Sequence, residues 1–127
     1  MPPLKRGFTL IELLIALVIV GILAAIAIPT FANTTAKADI ASVQSDLRNL
    51  ATAQESYYYE HATYAPSYAL LNIVPSGGVT VTIVEASAGG WSATAVHPSA
   101  VPVTCGVFYG SATPVAPATA QGKIVCK

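Results

Sequence analysis

Between Phe8 and Ile28 the chain reads FTLIELLIALVIVGILAAIAI, 21 residues in which only Thr9 and Glu12 are neither apolar nor small. As a helix this stretch is about 31 Å long, enough to cross the hydrocarbon core of a bilayer. Two features set it apart from a plain anchor. A carboxylate, Glu12, stands four residues inside the apolar run, where a charge costs about 2.5–3.5 kcal/mol on insertion scales and usually marks function. Gly21 and Pro29 interrupt a helix that lipid contact ought to keep intact; the first costs up to about 1 kcal/mol relative to Ala, the second about 3 kcal/mol or more. Together they predict a kink over Ile22 to Ile28.

The residues just before and inside this run, Lys5-Arg6-Gly7-Phe8-Thr9-Leu10-Ile11-Glu12, resemble the processing site and mature N-terminus of type IV prepilins and the related pseudopilins. The resemblance is specific over residues 5 to 30 and is one of layout only beyond them. It implies that a prepilin peptidase on the cytoplasmic side cuts between Gly7 and Phe8 and methylates the amino group of Phe8. It further implies an assembly role for Glu12, which in an incoming subunit would neutralise the Phe8 amine of a neighbour and set the axial stagger. The segment between Gly21 and Pro29 would unwind in the filament. The bland partner for Glu12 is the positive end of its own helix dipole.

An ordinary secretory signal is the competing reading of the same stretch. Lys5 and Arg6 form a basic n-region that should stay cytoplasmic, and Ala25-Ile26-Ala27 fits a cleavage site. Glu12 counts against it, because a carboxylate does not belong early in a signal's hydrophobic core.

After Pro29 the pattern turns amphipathic. Ile40, Val43, Leu47, Leu50 and Tyr57 keep a three-four spacing, with Gln54 filling one place, while Lys37, Asp39, Gln44, Asp46, Arg48, Glu55 and Glu60 fall mostly off the stripe. With no Gly or Pro from Thr30 to Thr63, the helix should run through Pro29 to about Glu60 and pack one face on a partner. Residues 61–78, with Pro66, Pro75 and Gly77-Gly78, read as an irregular connection. Residues 79–127 read as an antiparallel sheet. Val79 to Glu85 alternates, placing Val79, Val81 and Ile83 on one face. Ser87 to Gly90 is a turn, and Trp91 to Val96 is a second strand. Thr104 to Tyr109 and Lys123 to Cys126 supply two more, joined by a surface loop over Gly110 to Gly122. Trp91 is expected at the edge of the core. The segments are thus a leader over 1–7, an apolar helix over 8–29, its amphipathic continuation over 30–60, a connection and a sheet. The fold class expected is α+β, a long N-terminal helix packed on three or four antiparallel strands.

The two cysteines, Cys105 and Cys126, follow a membrane-targeted N-terminus and are even in number, which points to a disulfide in an oxidising compartment. A metal site combining them with His61 or His97 has no supporting ligand spacing, and no cofactor is implied. His61 and His97 read as exposed turn residues. No nucleophile stands beside a base, no carboxylates pair, and the Gly-Gly pairs are turns rather than phosphate cradles, so no catalytic residue is assigned. Six basic and six acidic residues leave no net charge. Loss of Lys5 and Arg6 would leave four against six, and beyond Arg48 only Lys123 and Lys127 are basic, which excludes a nucleic-acid stripe.

Three functions remain. The first is a pilin that starts as a single-pass precursor in the inner membrane, homopolymerises through its N-terminal helices with the pilus assembly machinery, and ends in an extracellular fibre. The second is a pseudopilin of a type II secretion system, or a minor pilin. Major pseudopilins resemble a family that binds calcium through C-terminal carboxylates, whereas after Glu60 this chain offers only Glu85, too few for such a site. The third is a secreted soluble domain released by signal peptidase.

Overall fold

The structure, a computed structural model, describes residues 1–3 and 7–127. One helix, α1, covers Leu10–His61. Four strands follow: β1 (Thr80–Ala86), β2 (Gly90–Val96), β3 (Thr104–Gly110) and β4 (Val125–Cys126). They form one antiparallel sheet in the order β1-β2-β3-β4, so the fold is α+β. The chain divides into two units, Met1–Thr34 and Thr35–Lys127.

In the first unit the side chains from Phe8 to Phe31 are almost all exposed. Its helix is long and apolar enough to cross a membrane. The helical hydrogen-bond pattern continues through Gly21 and Pro29. Proline has no N–H to give back to the preceding turn, and just beyond it the hydroxyls of Thr30 and Thr34 donate to the carbonyls of Ile26 (3.0 Å) and Thr30 (2.9 Å). Such back-bonding from Thr lets the hydroxyl share a carbonyl with the helix ladder.

The second unit is built on the stripe Val43, Leu47 and Leu50 of α1, which shares one buried cluster with Trp91, Ala93 and Ala95 of β2 and Cys105 and Val107 of β3. The alternation of a strand places these residues on one face, and register pairs Trp91 with Tyr109, Ala93 with Val107 and Ala95 with Cys105. Full burial of Leu47 and Leu50 contributes roughly 1.5–3 kcal/mol each.

Trp91 is not at the edge of this core. It is fully buried, the largest side chain to be so, and stacks on Tyr109 with ring centroids 5.0 Å apart. Its strand is interior to the sheet, whereas β1 and β4 are its edges. On edge strand β1, Val81 and Ile83 are accordingly only half-buried, while Val79, just before it, is buried. A bulge between Ile83 and Glu85 leaves Val84 unpaired and exposed, the kind of irregularity that discourages a second chain from adding to an edge.

The stretch between Gly110 and Gly122 does more than cross the surface. Its Ala112 and Ala118 are buried, as are Phe108 and Ser92, which pair on the sheet face opposite Trp91. Gly106 makes this possible, since a Cβ there would stand within about 3 Å of the Val115 and Ala116 carbonyls. Glu85 accepts the Thr113 amide at 2.9 Å, and the disulfide between Cys105 and Cys126 joins β3 to β4.

The 61–78 connection is more ordered than its composition suggests, and α1 supplies the order. Gln54, fully buried, donates to the carbonyl of Ala65 (2.9 Å) and accepts its amide (2.8 Å). Asp46, which the periodicity places off the stripe, is 3% exposed. Its two carboxylate oxygens take the amide (2.7 Å) and hydroxyl (2.9 Å) of Ser76. A 3₁₀ turn over Tyr68–Leu71 begins at Ser67, whose side chain accepts the Ala69 amide. His97 is likewise no exposed turn residue. Its ring, 12% exposed, lies 3.6 Å from Asp39, 3.3 Å from the Gly77 carbonyl and 3.2 Å from the Ser99 amide. Gly78, with a positive φ of 84°, is the seat for that ring, because any Cβ would meet the imidazole.

Replacing Gln54 by Ala would strand both backbone groups of Ala65 in the core. Thermal or denaturant unfolding of the full chain in detergent should show a loss of roughly 2–4 kcal/mol. Thr52→Ala, on the exposed side, should stay within about 0.5 kcal/mol. Equal effects for the two would disprove the tie. The phenol of Tyr68 is raised above its ordinary value of 10.0, first by burial and then by the Asp46 carboxylate. The folded state thus favours the neutral phenol, so this contribution is complete below pH 10 and lost as pH rises above it. Alkaline titration should show the chain losing stability in that range, and Tyr68→Phe should flatten the loss.

Candidate assembly site at the start of the long helix

Thr9 is the N-cap of α1, Leu10 the first helical residue and Glu12 the third. At these positions Thr and Glu form a capping box. The Thr9 amide donates to Glu12 Oε2 at 2.8 Å and the Thr9 hydroxyl donates to the same oxygen at 2.7 Å. In return the Glu12 amide donates to Thr9 Oγ1 at 3.3 Å, and the Leu13 amide closes the first helical bond on the Thr9 carbonyl. Free amides at a helix start need partners, and here two side chains three residues apart supply them to each other.

Around this box the surface is apolar. Phe8 and Leu10 are about 85% exposed, and Phe8, Leu10, Leu13, Leu14 and Leu17 line a shallow groove along the helix itself. Among the described residues no cation approaches Glu12. The basic pair Lys5 and Arg6 lies outside the described residues. Gly7 and Gly21 have open space where a side chain would be. Pro29 lies within α1, far along the sequence from the box, and Cys105 and Cys126 are bonded to each other in the sheet. The structure therefore brings Phe8 and Glu12 to one helix end and leaves the remaining candidates as separate features.

Thr9 is the residue that sequence reasoning passed over. Its signal is in the sequence, since Thr9-Leu10-Ile11-Glu12 before an apolar run is the capping-box pattern, but it is weaker than that of a charge in an apolar run. Elsewhere, an open groove of about 620 Å³ lies beside Ser56, Tyr57, Glu60, Leu70 and Asn72. Among the described residues no three His, Cys, Asp or Glu side chains cluster as metal ligands. His61 stacks on Tyr57 at 4.0 Å and lies 3.1 Å from the Tyr57 carbonyl.

Residues 3–28 match the family model described as the prokaryotic N-terminal methylation motif. Among curated proteins the chain is similar to the type IV major pilin protein PilA of Myxococcus xanthus, 42% identical over 76 residues, which are 60% of this chain and 34% of that protein. It is similar to the type IV major fimbrial protein FimA of Dichelobacter nodosus, 48% identical over 56 residues, 44% of this chain and 36% of that protein. A third relative is the type IV major pilin protein PilE of Neisseria gonorrhoeae, 34% identical over 79 residues, 62% of this chain and 47% of that protein. The chain thus spans about a third to a half of the length of these relatives. The motif and the relatives support a type IV pilin. By name the relatives are structural proteins, not enzymes.

Proposed function

We propose that this chain is a structural subunit of an extracellular type IV pilus, cut by a prepilin peptidase between Gly7 and Phe8 and polymerised through its apolar helix. The observation that carries this reading is a carboxylate in the first turn of an exposed apolar helix, adjacent to the residue that cleavage would make the N-terminus. A helix with almost no buried side chain from Leu10 to Phe31 has to be covered, by lipid before assembly and by other copies after it. A carboxylate among those side chains calls for a cation, and an amine newly made at Phe8 of a neighbour supplies one of the right sign and depth. Within one helix the pair is cramped, so the bond forms between copies. Gly21 and Pro29 then serve the filament by weakening the helix between them, so that this stretch can unwind under load. The disulfide closes the loop that covers the outer sheet face and protects the domain outside the cell.

The relatives named as major pilins favour this reading over a pseudopilin, as does the scarcity of carboxylates after Glu60. A minor pilin or pseudopilin would share the processing step and differ in abundance on the cell surface.

The deciding measurement is the intact mass and N-terminal residue of the chain in the fraction sheared from the cell surface. An N-methylated Phe8 start, abundant in that fraction, is expected. A start at Ile28 in the free medium would make the chain a secreted soluble domain. Replacing Glu12 by Ala should leave a chain that is processed, inserted and folded but absent from sheared fibres. Normal filaments from that variant would overturn the charge pairing.

A further inference from the structure

The ring of His97 is wedged among three partners, and they do not all suit it. The Gly77 carbonyl lies 3.3 Å from Nε2, the Ser99 amide 3.2 Å from Nδ1, and Asp39 Oδ2 3.6 Å from the same Nδ1. The first two fix the place of the proton. A carbonyl only accepts and an amide only donates, so Nε2 carries the proton and Nδ1 a lone pair, as in a neutral imidazole. In that form the turn over Pro98–Ala100 has its cap, because the ring takes the Ser99 amide as an N-cap side chain does. Asp39 is left out. Its Oδ2 is buried without a hydrogen-bond partner and faces a second acceptor, an arrangement that costs stability. We propose that His97 is a pH-operated latch: protonation moves Nδ1 from the Ser99 amide to the Asp39 carboxylate, so that a bond inside the turn is replaced by one to α1.

Counting donors forces the exchange. A protonated Nδ1 is itself a donor and cannot stay against the Ser99 amide, while the carboxylate beside it is the acceptor it needs. Closing 3.6 Å to a charge-assisted bond of about 2.8 Å is a small movement, and such bonds are roughly twice as strong as neutral ones. Nε2 keeps its proton in both forms, so the Gly77 bond is the pivot, and Gly78 leaves the ring its seat. Among the described residues Asp39 is the one charged group within ion-pair reach of the ring. Lys37, two residues before it on α1, is exposed, and side chains at that spacing do not face each other on a helix. Asp46, two turns further along, is taken by Ser76. β2 has no titratable side chain, β1 has only Glu85, paired with Ser92 at the far end, and β3 has only Tyr109, opposite Trp91. In acid, then, α1 is fastened to the end of β2 a few residues into the second unit. In alkali the turn is fastened instead. This is a property of the folded second unit and stands apart from the pilus reading.

The test is NMR of the full chain in detergent at about pH 8 and about pH 5.5, the range over which imidazole gains its charge. It reads the protection of the Ser99 amide against exchange, corrected for the intrinsic rate at each pH, and the nitrogen shifts of the ring. Wild type should show an Nε2–H imidazole and a protected Ser99 amide at the higher pH, and should lose that protection several-fold at the lower. The β2 and β3 amides should stay protected in both solutions. His97→Asn, whose side-chain oxygen accepts the Ser99 amide at either pH, should keep it protected in both. Asp39→Asn should retain more of the protection at about pH 5.5 than wild type, because the charge that draws a proton to Nδ1 is gone. Wild-type protection that does not change with pH would overturn the latch. So would a loss in His97→Asn or Asp39→Asn equal to that of wild type, or a general loosening in which β2 and β3 lose protection together with Ser99.

Discussion

An apolar segment that is to lie among apolar neighbours has to satisfy its backbone from within, since neither lipid nor a packed helix face offers hydrogen bonds. That constraint shapes the first unit from end to end. It demands a helix, which pairs every interior amide. It makes the helix start a weak point, because the first amides have no carbonyl to reach. It makes Pro29 a second weak point, where the ladder misses a donor. At the start the chain answers with Thr9 and Glu12. Just after Pro29 the hydroxyls of Thr30 and Thr34 share the carbonyls of Ile26 and Thr30 with the helix ladder, whereas the carbonyl that a proline at 29 deprives of its amide is that of Ala25. At the helix start, then, the polar side chains stand where the backbone is left short.

The same accounting governs the second unit, with the roles reversed. There the helix is the donor of stability, and the irregular connection after it carries the unpaired backbone. Buried backbone groups without partners cost about as much as a lost hydrogen bond. Gln54 covers Ala65 and Asp46 covers Ser76, so two polar side chains on α1 fix two points of a segment that has almost no regular structure. His97 fixes a third from the side of β2, through the Gly77 carbonyl. These ties explain why Ala65 and Leu71 are buried in a stretch whose composition reads as loop.

How much of this the sequence disclosed follows from the length scale of each signal. The helix from Leu10 to His61 and the alternation around Ile83 are repeated patterns, and repetition survives local exceptions. The disulfide was legible because only two cysteines exist. What was not legible depended on contacts across the chain. Asp46 is charged and off the stripe, so periodicity assigns it to solvent; only the arrival of Ser76, thirty residues later, makes its burial tolerable. Trp91 reads as an edge residue at the start of a strand, yet becomes central because β3 pairs along its full length. His97 lacks an acidic neighbour in sequence and acquires one, Asp39, in space. In the candidate site, Glu12 announced itself by its cost, while Thr9 did not, since an isolated hydroxyl in an apolar run is cheap and common.

That asymmetry bears on why the carboxylate sits where it does. Placed a turn or more further along the apolar run, Glu12 would find every backbone amide already bonded within the helix and would have to carry its charge unaided. Placed before the helix, it would lie outside the ordered first turn and could adopt many orientations. The third helical position is where unpaired amides and a fixed backbone coincide, and Thr at the N-cap adds a hydroxyl to them. A charge at that place is met by donors that the helix start would otherwise leave unpaired. That is why one turn of sequence, Thr9 to Glu12, can carry a carboxylate that the rest of the apolar helix could not.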